Sequence, residues 1–218
     1  YPVSEAFRSF RTNISLLSTE ERPIKSILIT SPGPSEGKTF SACNLGIVIA
    51  QNRKRVLLVD ADMRKPRLSN MLGGENKRGL STFLSGMGSF TEVIQNTGIE
   101  NLSLLSSGPL PPNPSELLDT KKMKELIALA TEKFDIVILD ATPIAILADA
   151  IIASRSVDCI IMVVEAKKTS RRAFMRVCRV LKDAKIRVLG AFLNKVSVNA
   201  ADHHYYAAYY SHYSHLQP

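Results

Sequence analysis

A chain of 218 residues with 45% hydrophobic and 22% charged side chains is long enough for one sizeable core and cramped for two domains. Its 28 basic against 20 acidic residues leave a formal +8, which points to an acidic partner: nucleotide, anionic lipid, phosphorylated protein or nucleic acid. Cys43, Cys159 and Cys178 are isolated in apolar stretches, which argues against a disulfide framework or thiolate metal site and for buried thiols in a reducing compartment. No apolar run approaches the ~18 residues of a membrane span, and no signal peptide is visible. The chain begins at Tyr1 without Met, which leaves room for a membrane segment outside it.

The first periodic stretch is Val3–Leu17. At about 100° per residue, Phe7, Phe10 and Ile14 form one stripe, so a helix packs them inward. Glu5, Arg8 and Arg11, spaced i, i+3, i+6, share another face. Geometry alone describes a solvated face with one Glu–Arg pair rather than a contact surface.

The chain is organised around Ile24–Thr39, IKSILITSPGPSEGKT. Ile27, Leu28 and Ile29 read as a buried strand, a Gly/Pro loop follows, then Gly37-Lys38-Thr39 and a helical pattern from Phe40 to Gln51. Strand, loop, Gly-Lys-Thr and helix make a P-loop. Backbone amides converge at a helix N-terminus, where the dipole also favours negative charge. Lys38 reaches the β- and γ-phosphates of a nucleotide, and the Thr39 hydroxyl sits on Mg²⁺. The generic pattern wants Gly at position 32, which here is Pro32, and Pro32 and Pro34 each lack an amide donor. The expected nucleotide cradle is Gly33, Pro34, Ser35, Glu36, Gly37, Lys38, Thr39 and Phe40, with the amides supplied from Ser35 onward.

Arg55–Asp60 is a second buried strand, ending in Asp60-Ala61-Asp62-Met63-Arg64-Lys65-Pro66. Two carboxylates at a strand's C-terminal end face the crevice where α/β sheets bind ligands, which favours a Mg²⁺ or acid–base role. Arg67–Gly88 reads as loop and short helix burying Leu80, Phe83 and Leu84, and Asn101–Ser106 as a modest strand. Gly108–Pro114 is a rigid turn, after which Ser115 caps a helix through Ala130 with Leu117, Leu118, Ile127 and Ala130 inward. Phe134–Asp140 is a third buried strand ending in Asp140, a Walker B pattern whose carboxylate holds the metal through water. A short helix starts at Asp149–Ser154, and Val157–Val164 is a fourth strand. Lys168–Ala184 is strongly amphipathic, with Phe174, Val177, Leu181 and Ala184 inward. Its Lys168, Arg171, Arg172, Arg176, Arg179 and Lys182 form a solvated face, ahead of a dock for anionic lipid or a phosphorylated partner. Arg187–Leu193 is the last strand and leads into Asn194-Lys195. Alternating strands and helices imply an α/β, P-loop NTPase-like fold: a largely parallel sheet with helices on both faces.

Beyond Val198, five of the six tyrosines (Tyr205, Tyr206, Tyr209, Tyr210, Tyr213) crowd together with all four histidines. With little aliphatic content this reads as a mobile tail. It carries no Lys or Arg, so no nucleic acid is expected there, and a histidine metal site is the lesser option. Phosphorylation explains the tyrosine excess. The organisation is thus a helix over 1–22, one domain over 23–198 and a tyrosine-rich tail over 199–218.

Taken together, SEAFRSFRTNI, ITSPGPSEGKTFSACNL, VLLVDADMRKP, GPLPPNPSELL, FDIVILDATP and the tyrosine-rich end resemble the bacterial tyrosine kinases, P-loop autokinases that control capsule and exopolysaccharide export. The resemblance makes VLLVDADMRKP the Walker A′ motif and makes Glu5, Arg8 and Arg11 part of a subunit-contact motif, reversing the geometric reading of the first helix. Two departures stand out. The family commonly has Pro-Gly-x-Gly-Lys where this chain has Pro34-Ser35-Glu36-Gly37-Lys38. It commonly has Asp-Thr-Pro-Pro where this chain has Asp140-Ala141-Thr142-Pro143.

The resemblance implies ATP and Mg²⁺ as cofactors, with Lys38, Asp60, Asp62 and Asp140 catalytic. Thr39 binds the metal directly, Asp62 and Asp140 hold its water shell, and Asp60 accepts the tyrosine proton. Asn194 is the expected adenine contact. The implied partners are a homo-oligomer through the first helix, a transmembrane activator segment or protein, and a cognate tyrosine phosphatase, at the cytoplasmic face of the bacterial inner membrane. A MinD- or ParA-like switch ATPase is the rival from another class, but it usually has a second lysine where this chain has Gly33, and it lacks a tyrosine tail. A nucleotide-bound scaffold without turnover is the third reading.

Overall fold

Four runs of consecutive apolar residues, buried on both faces, make the middle of the sheet: β1 (Ser26–Thr30), β2 (Val56–Asp60), β5 (Ile136–Asp140) and β6 (Cys159–Glu165, buried over its first five residues). The computed structural model describes residues 2–197. The tail tyrosines and histidines named above lie outside those residues. With β3 (Gln95–Asn96), β4 (Leu102–Leu105) and β7 (Val188–Asn194), the sheet has seven strands in the order β3-β4-β2-β5-β1-β6-β7. All neighbours are parallel except the short β3–β4 pair.

The two-residue period of the strands sorts the core into two layers. Ile27, Ile29, Val56, Leu58, Ile136 and Ile138 face α1 (Pro2–Leu17), α2 (Lys38–Ala50) and α3 (Leu68–Leu72). Leu28, Leu57, Val59, Val137 and Leu139 face the other layer. That layer consists of α4 (Leu80–Leu84), α5 (Phe90–Val93), α6 (Pro114–Leu118), α7 (Lys121–Lys133), α8 (Asp149–Ser154) and α9 (Arg171–Asp183). Asp60 and Asp140 pair in register and continue the first row, so both carboxylates emerge on the α2 side of the sheet.

The stripe on α1 is buried as expected: Phe7 and Ile14 join the α2 layer, and the Phe7 and Phe10 rings stack on Phe192 of β7 at 5.2 and 4.8 Å. Three expectations fail locally. The helix expected from Ser115 to Ala130 is two helices, because the chain turns at Asp119–Thr120, where the Thr120 hydroxyl donates to the Leu117 carbonyl and closes α6. Asn113, not Ser115, precedes the first helical residue, and Ser115 spends its hydroxyl on Asp149. Ala184 is exposed, because α9 stops one residue earlier.

Candidate active site

Everything with chemical potential gathers at the C-terminal ends of β1, β2 and β5, where α2 begins. The loop from Ser31 to Gly37 turns sharply enough to need left-handed backbone twice. Gly37 has φ 98°, and a Cβ there would lie 2.1 Å from the Asn194 amide nitrogen, so only glycine fits. Ser35 has φ 63°, a left-handed conformation that glycine adopts without steric cost. Ser31 Oγ donates to the Gly33 carbonyl at 2.6 Å and tightens the entry to the turn.

The far side of the loop is tied to the ends of β6 and β7. Asn194 Nδ2 donates to the Glu36 carbonyl at 2.9 Å, and Lys195 Nζ donates to the Ser35 carbonyl at 2.8 Å and to Glu165 at 3.0 Å. Thr169 Oγ1 donates to the buried Glu36 carboxylate at 2.8 Å. Asn194, expected at the adenine, is found fastening the loop itself. Phe40 stays half exposed in the first turn of α2, edge-on to Phe7 with ring centroids 6.0 Å apart.

Lys38 and the three aspartates are brought together. Lys38 Nζ donates to Asp62 Oδ2 at 3.0 Å, and Asp62 Oδ1 accepts the Lys65 N–H at 3.0 Å. Asp60 is fully buried; its Oδ2 accepts the N–H groups of Arg67 and Leu68, both at 2.9 Å, while Oδ1 has no partner. Asp140 is 1% exposed, and neither of its carboxylate oxygens has a partner. Burial, reinforced by the Asp140 charge, pushes the Asp60 carboxyl up to about 7. Burial pushes Asp140 up to about 6, with Lys38 opposing.

Buried carboxylates without donors are costly unless something cationic completes them. The donor set fits Mg²⁺: a hydroxyl (Thr39) and carboxylates (Asp62, Asp140) are the hard oxygen ligands this ion takes while keeping several waters. Among the described residues no group of three His, Cys, Asp or Glu forms a cage that would dispense with water.

One feature of the site escaped the sequence. Asp149, 2% exposed at the start of α8, accepts Arg64 Nε at 2.7 Å and Arg64 Nη2 at 3.3 Å, and also accepts the Ser115 hydroxyl. Although burial pushes its carboxyl up, the hydrogen bonds from Arg64 and Ser115 hold it below the ordinary range. This clamp joins the Asp60–Asp62 loop to α6 and α8. No local pattern marks Asp149, because its partners are 85 and 34 residues away. On α1 the expected trio divides. Arg8 pairs with Glu5 at 3.2 Å on the surface, while Arg11 Nη1 donates to the Val48 carbonyl near the end of α2 at 3.1 Å.

A protein-family model described as an AAA domain matches residues 25–191. The chain is 41% identical to the tyrosine-protein kinase YwqD of Bacillus subtilis (strain 168), over 88% of this chain and 80% of that protein. It is 37% identical to the tyrosine-protein kinase wzc of Salmonella typhimurium over 94% of this chain, but spans only 28% of that protein. Among solved structures, the kinase domain of Escherichia coli tyrosine kinase ETK superposes with a TM-score of 0.87 at 33% identity, covering 91% of this chain and 77% of that one. More distantly, the septum site-determining protein MinD of Pyrococcus horikoshii OT3, complexed with Mg-ADP, matches with a TM-score of 0.68 at 28% identity, covering 82% and 73%.

Proposed function

The chain belongs to the bacterial tyrosine-protein kinases, and we propose from that premise how its residues divide the work of moving a phosphoryl group from ATP to tyrosine. The observation that carries the proposal is the cluster of buried oxygens without partners on Asp60 and Asp140, directly beside the Lys38–Asp62 pair at the N-terminus of α2.

Phosphoryl transfer needs positioning and charge neutralisation more than covalent chemistry. The backbone from Ser35 to Phe40 cradles the phosphates, and Lys38 leaves Asp62 for the β- and γ-phosphate oxygens. Thr39, Asp62 and Asp140 would hold Mg²⁺. Mg²⁺, when bound, neutralises charge on the β- and γ-phosphates. Asn194 stays against Glu36 and borders the adenine. Asp60 accepts the proton of the incoming tyrosine hydroxyl at Oδ1, the oxygen that no backbone amide occupies. A carboxyl near 7 suits a general base at physiological pH. Because Asp60 is fully buried, its surroundings must yield for a tyrosine to reach it.

The acceptors in this reading are Tyr205, Tyr206, Tyr209, Tyr210 and Tyr213 of a neighbouring subunit, brought close by association through α1, with a tyrosine phosphatase reversing the reaction. We place the activity in capsule and exopolysaccharide export at the cytoplasmic face of the inner membrane. No helix among the described residues is long and apolar enough to cross a membrane, so anchoring falls to a separate transmembrane partner or to a longer polypeptide. The coverage of YwqD and wzc, 80% against 28%, offers a precedent for each length.

Incubation with labelled ATP and Mg²⁺ followed by phosphotyrosine detection tests the reading. Lys38→Met should lower phosphotyrosine at least ~100-fold with folding intact, since a preorganised charge contact at a transition state is worth that much. Undiminished labelling in Lys38→Met removes the P-loop assignment. ATP hydrolysis without phosphotyrosine favours a switch ATPase instead.

A further inference from the structure

Two buried hydroxyls without a hydrogen-bond partner belong to residues with no role above, Ser41 Oγ within α2 and Thr142 Oγ1 just after Asp140, and the second adjoins the carboxylate pair. Thr142 is 1% exposed, and its Oγ1 has no hydrogen-bond partner. Its backbone is pinned. The Thr30 hydroxyl donates to the Thr142 carbonyl at 2.7 Å, the Ala141 N–H donates to Ile29 at 3.0 Å, and the Ile144 N–H donates to Ser31 at 2.9 Å. The segment after β5 is thus sewn to the end of β1, where the phosphate loop departs.

Along β5, Ile136 and Ile138 face α2, while Val137 and Leu139 face the opposite layer, and Asp140 ends the strand on the α2 row. Thr142 lies two residues beyond Asp140, in the segment sewn to the end of β1. A buried hydroxyl without a partner thus follows, two residues along the chain, two carboxylate oxygens without partners. In a packed interior a threonine with no hydrogen bond is worse than valine, which has the same shape.

We infer that Thr142 Oγ1 is a working group of the metal–phosphate pocket, hydrogen-bonding the hydration shell of Mg²⁺ beside Asp140. The inference rests on the Mg²⁺-dependent P-loop reading and assigns Thr142 a positioning role rather than a catalytic one. Oγ1 donates to a metal-bound water or accepts from it, and no bond is made or broken.

Thr142→Val and Thr142→Ser separate this from a structural role. Calorimetric titration with ADP, in Mg²⁺ and in EDTA, is combined with thermal unfolding of the nucleotide-free proteins. Thr142→Val should weaken Mg·ADP binding about 5- to 10-fold, as the loss of one hydrogen bond does. It should leave ADP affinity in EDTA unchanged and raise the nucleotide-free Tm by about 2–4 °C. Thr142→Ser should restore the metal-dependent affinity. A Thr142→Val protein that melts lower with unchanged Mg·ADP affinity shows a structural hydroxyl and overturns the inference. So does a higher Tm with unchanged affinity, which describes an idle group. If the unmutated chain binds ADP equally well in Mg²⁺ and EDTA, it is the P-loop metal reading that fails.

Discussion

The two ends of the parallel sheet use the same residue in opposite ways. At the N-terminal end, Asp158 accepts the backbone N–H groups of Lys25 and Ser26, both at 2.8 Å, and the Ser26 hydroxyl at 2.9 Å. Nearby Asp135 accepts the Arg55 N–H and guanidinium, which hold its carboxyl below the usual range. At the C-terminal end, Asp60 and Asp140 are more deeply buried, have oxygens without donors and are pushed up to about 7 and 6. An exposed aspartate that gathers the N–H groups of a strand end is a fastener. A buried one with oxygens lacking donors is, in the proposed reading, where a cation would be held, and its cost is carried by the rest of the fold.

The sharpest way to break that comparison is to neutralise one aspartate at each end. Asp140→Asn should cut phosphotyrosine at least ~100-fold and Mg·ADP affinity about 10-fold or more. It should leave the nucleotide-free protein as stable as before or more so, since a buried charge without a partner is gone. Asp158→Ala should do the reverse, costing about 1–3 kcal/mol in urea unfolding because two amides lose their acceptor, with activity per folded molecule unchanged. Loss of stability in both, with equal activity, would erase the distinction between fastener and site.

The same contrast has a pH signature. The folded Asp60 and Asp140 carboxyls titrate near 7 and 6, above their unfolded values near 4. Between about pH 4 and 7 the folded chain therefore holds more protons than the unfolded one, and the contribution of these groups to stability falls as pH rises through that window. The slope is about 1.4 kcal/mol per pH unit for each proton of difference. Asp135 acts with the opposite sign: its stabilisation is present above about pH 4 and fades as pH falls through its lowered folded value. Urea midpoints at pH 5 and 7.5 read the balance. Asp140→Asn should flatten the fall, and Mg·ADP affinity should rise over the same window as metal displaces protons. A fall that is equally steep in Asp140→Asn removes that aspartate as its source.

A smaller effect separates the two arginines of α1. Arg8 is exposed and pairs only with Glu5, whereas Arg11 is partly buried on the Val48 carbonyl. Arg8→Ala should lower oligomer size and phosphotyrosine yield at fixed concentration, with stability within about 0.5 kcal/mol of the parent. Arg11→Ala should cost about 1 kcal/mol as well, because a helix carbonyl loses its donor. Sedimentation and unfolding of the two variants check this, and equal loss of stability in both would return the trio to a purely structural role.

Much of the fold was legible because its central strands are continuous apolar runs, and three of them end in Thr30, Asp60 and Asp140, at the edge where the candidate site lies. The P-loop, both aspartate motifs and the buried stripe of α1 were readable for the same reason: each is a local pattern. What escaped is tertiary. The Arg64–Asp149–Ser115 clamp joins one loop to two helices distant in sequence, and Ser115 looked like a helix cap only because Pro114 and Glu116 surround it with helix-start chemistry. The short α5 carried a readable sign, since Ser89 and Glu92 form a capping box with the Ser89 N–H donating to Glu92 at 2.8 Å. The two-residue β3 carried none, being held by pairing with β4 alone.

The smallest expected effect concerns a departure from the family motif. Ser35 was expected simply to supply an amide, but it also carries φ 63°, a left-handed conformation that costs a non-glycine residue about 1–2 kcal/mol. Its carbonyl accepts Lys195 Nζ at 2.8 Å, so a contact from the end of β7 helps hold the strained turn in place. Ser35→Gly relieves the steric cost and loses part of the gain to the greater freedom of the unfolded chain. The net should be a gain of about 0.5–1 kcal/mol, or about 2 °C in Tm. ADP affinity should stay within about twofold, because the amide that faces the phosphates is retained. Lys195→Ala in the Ser35 background should loosen the loop and weaken ADP binding, and in the Ser35→Gly background it should matter less. If Ser35→Gly lowers both Tm and affinity, the serine side chain is serving the cradle directly, and the loop is not a glycine turn carrying a tolerated substitution.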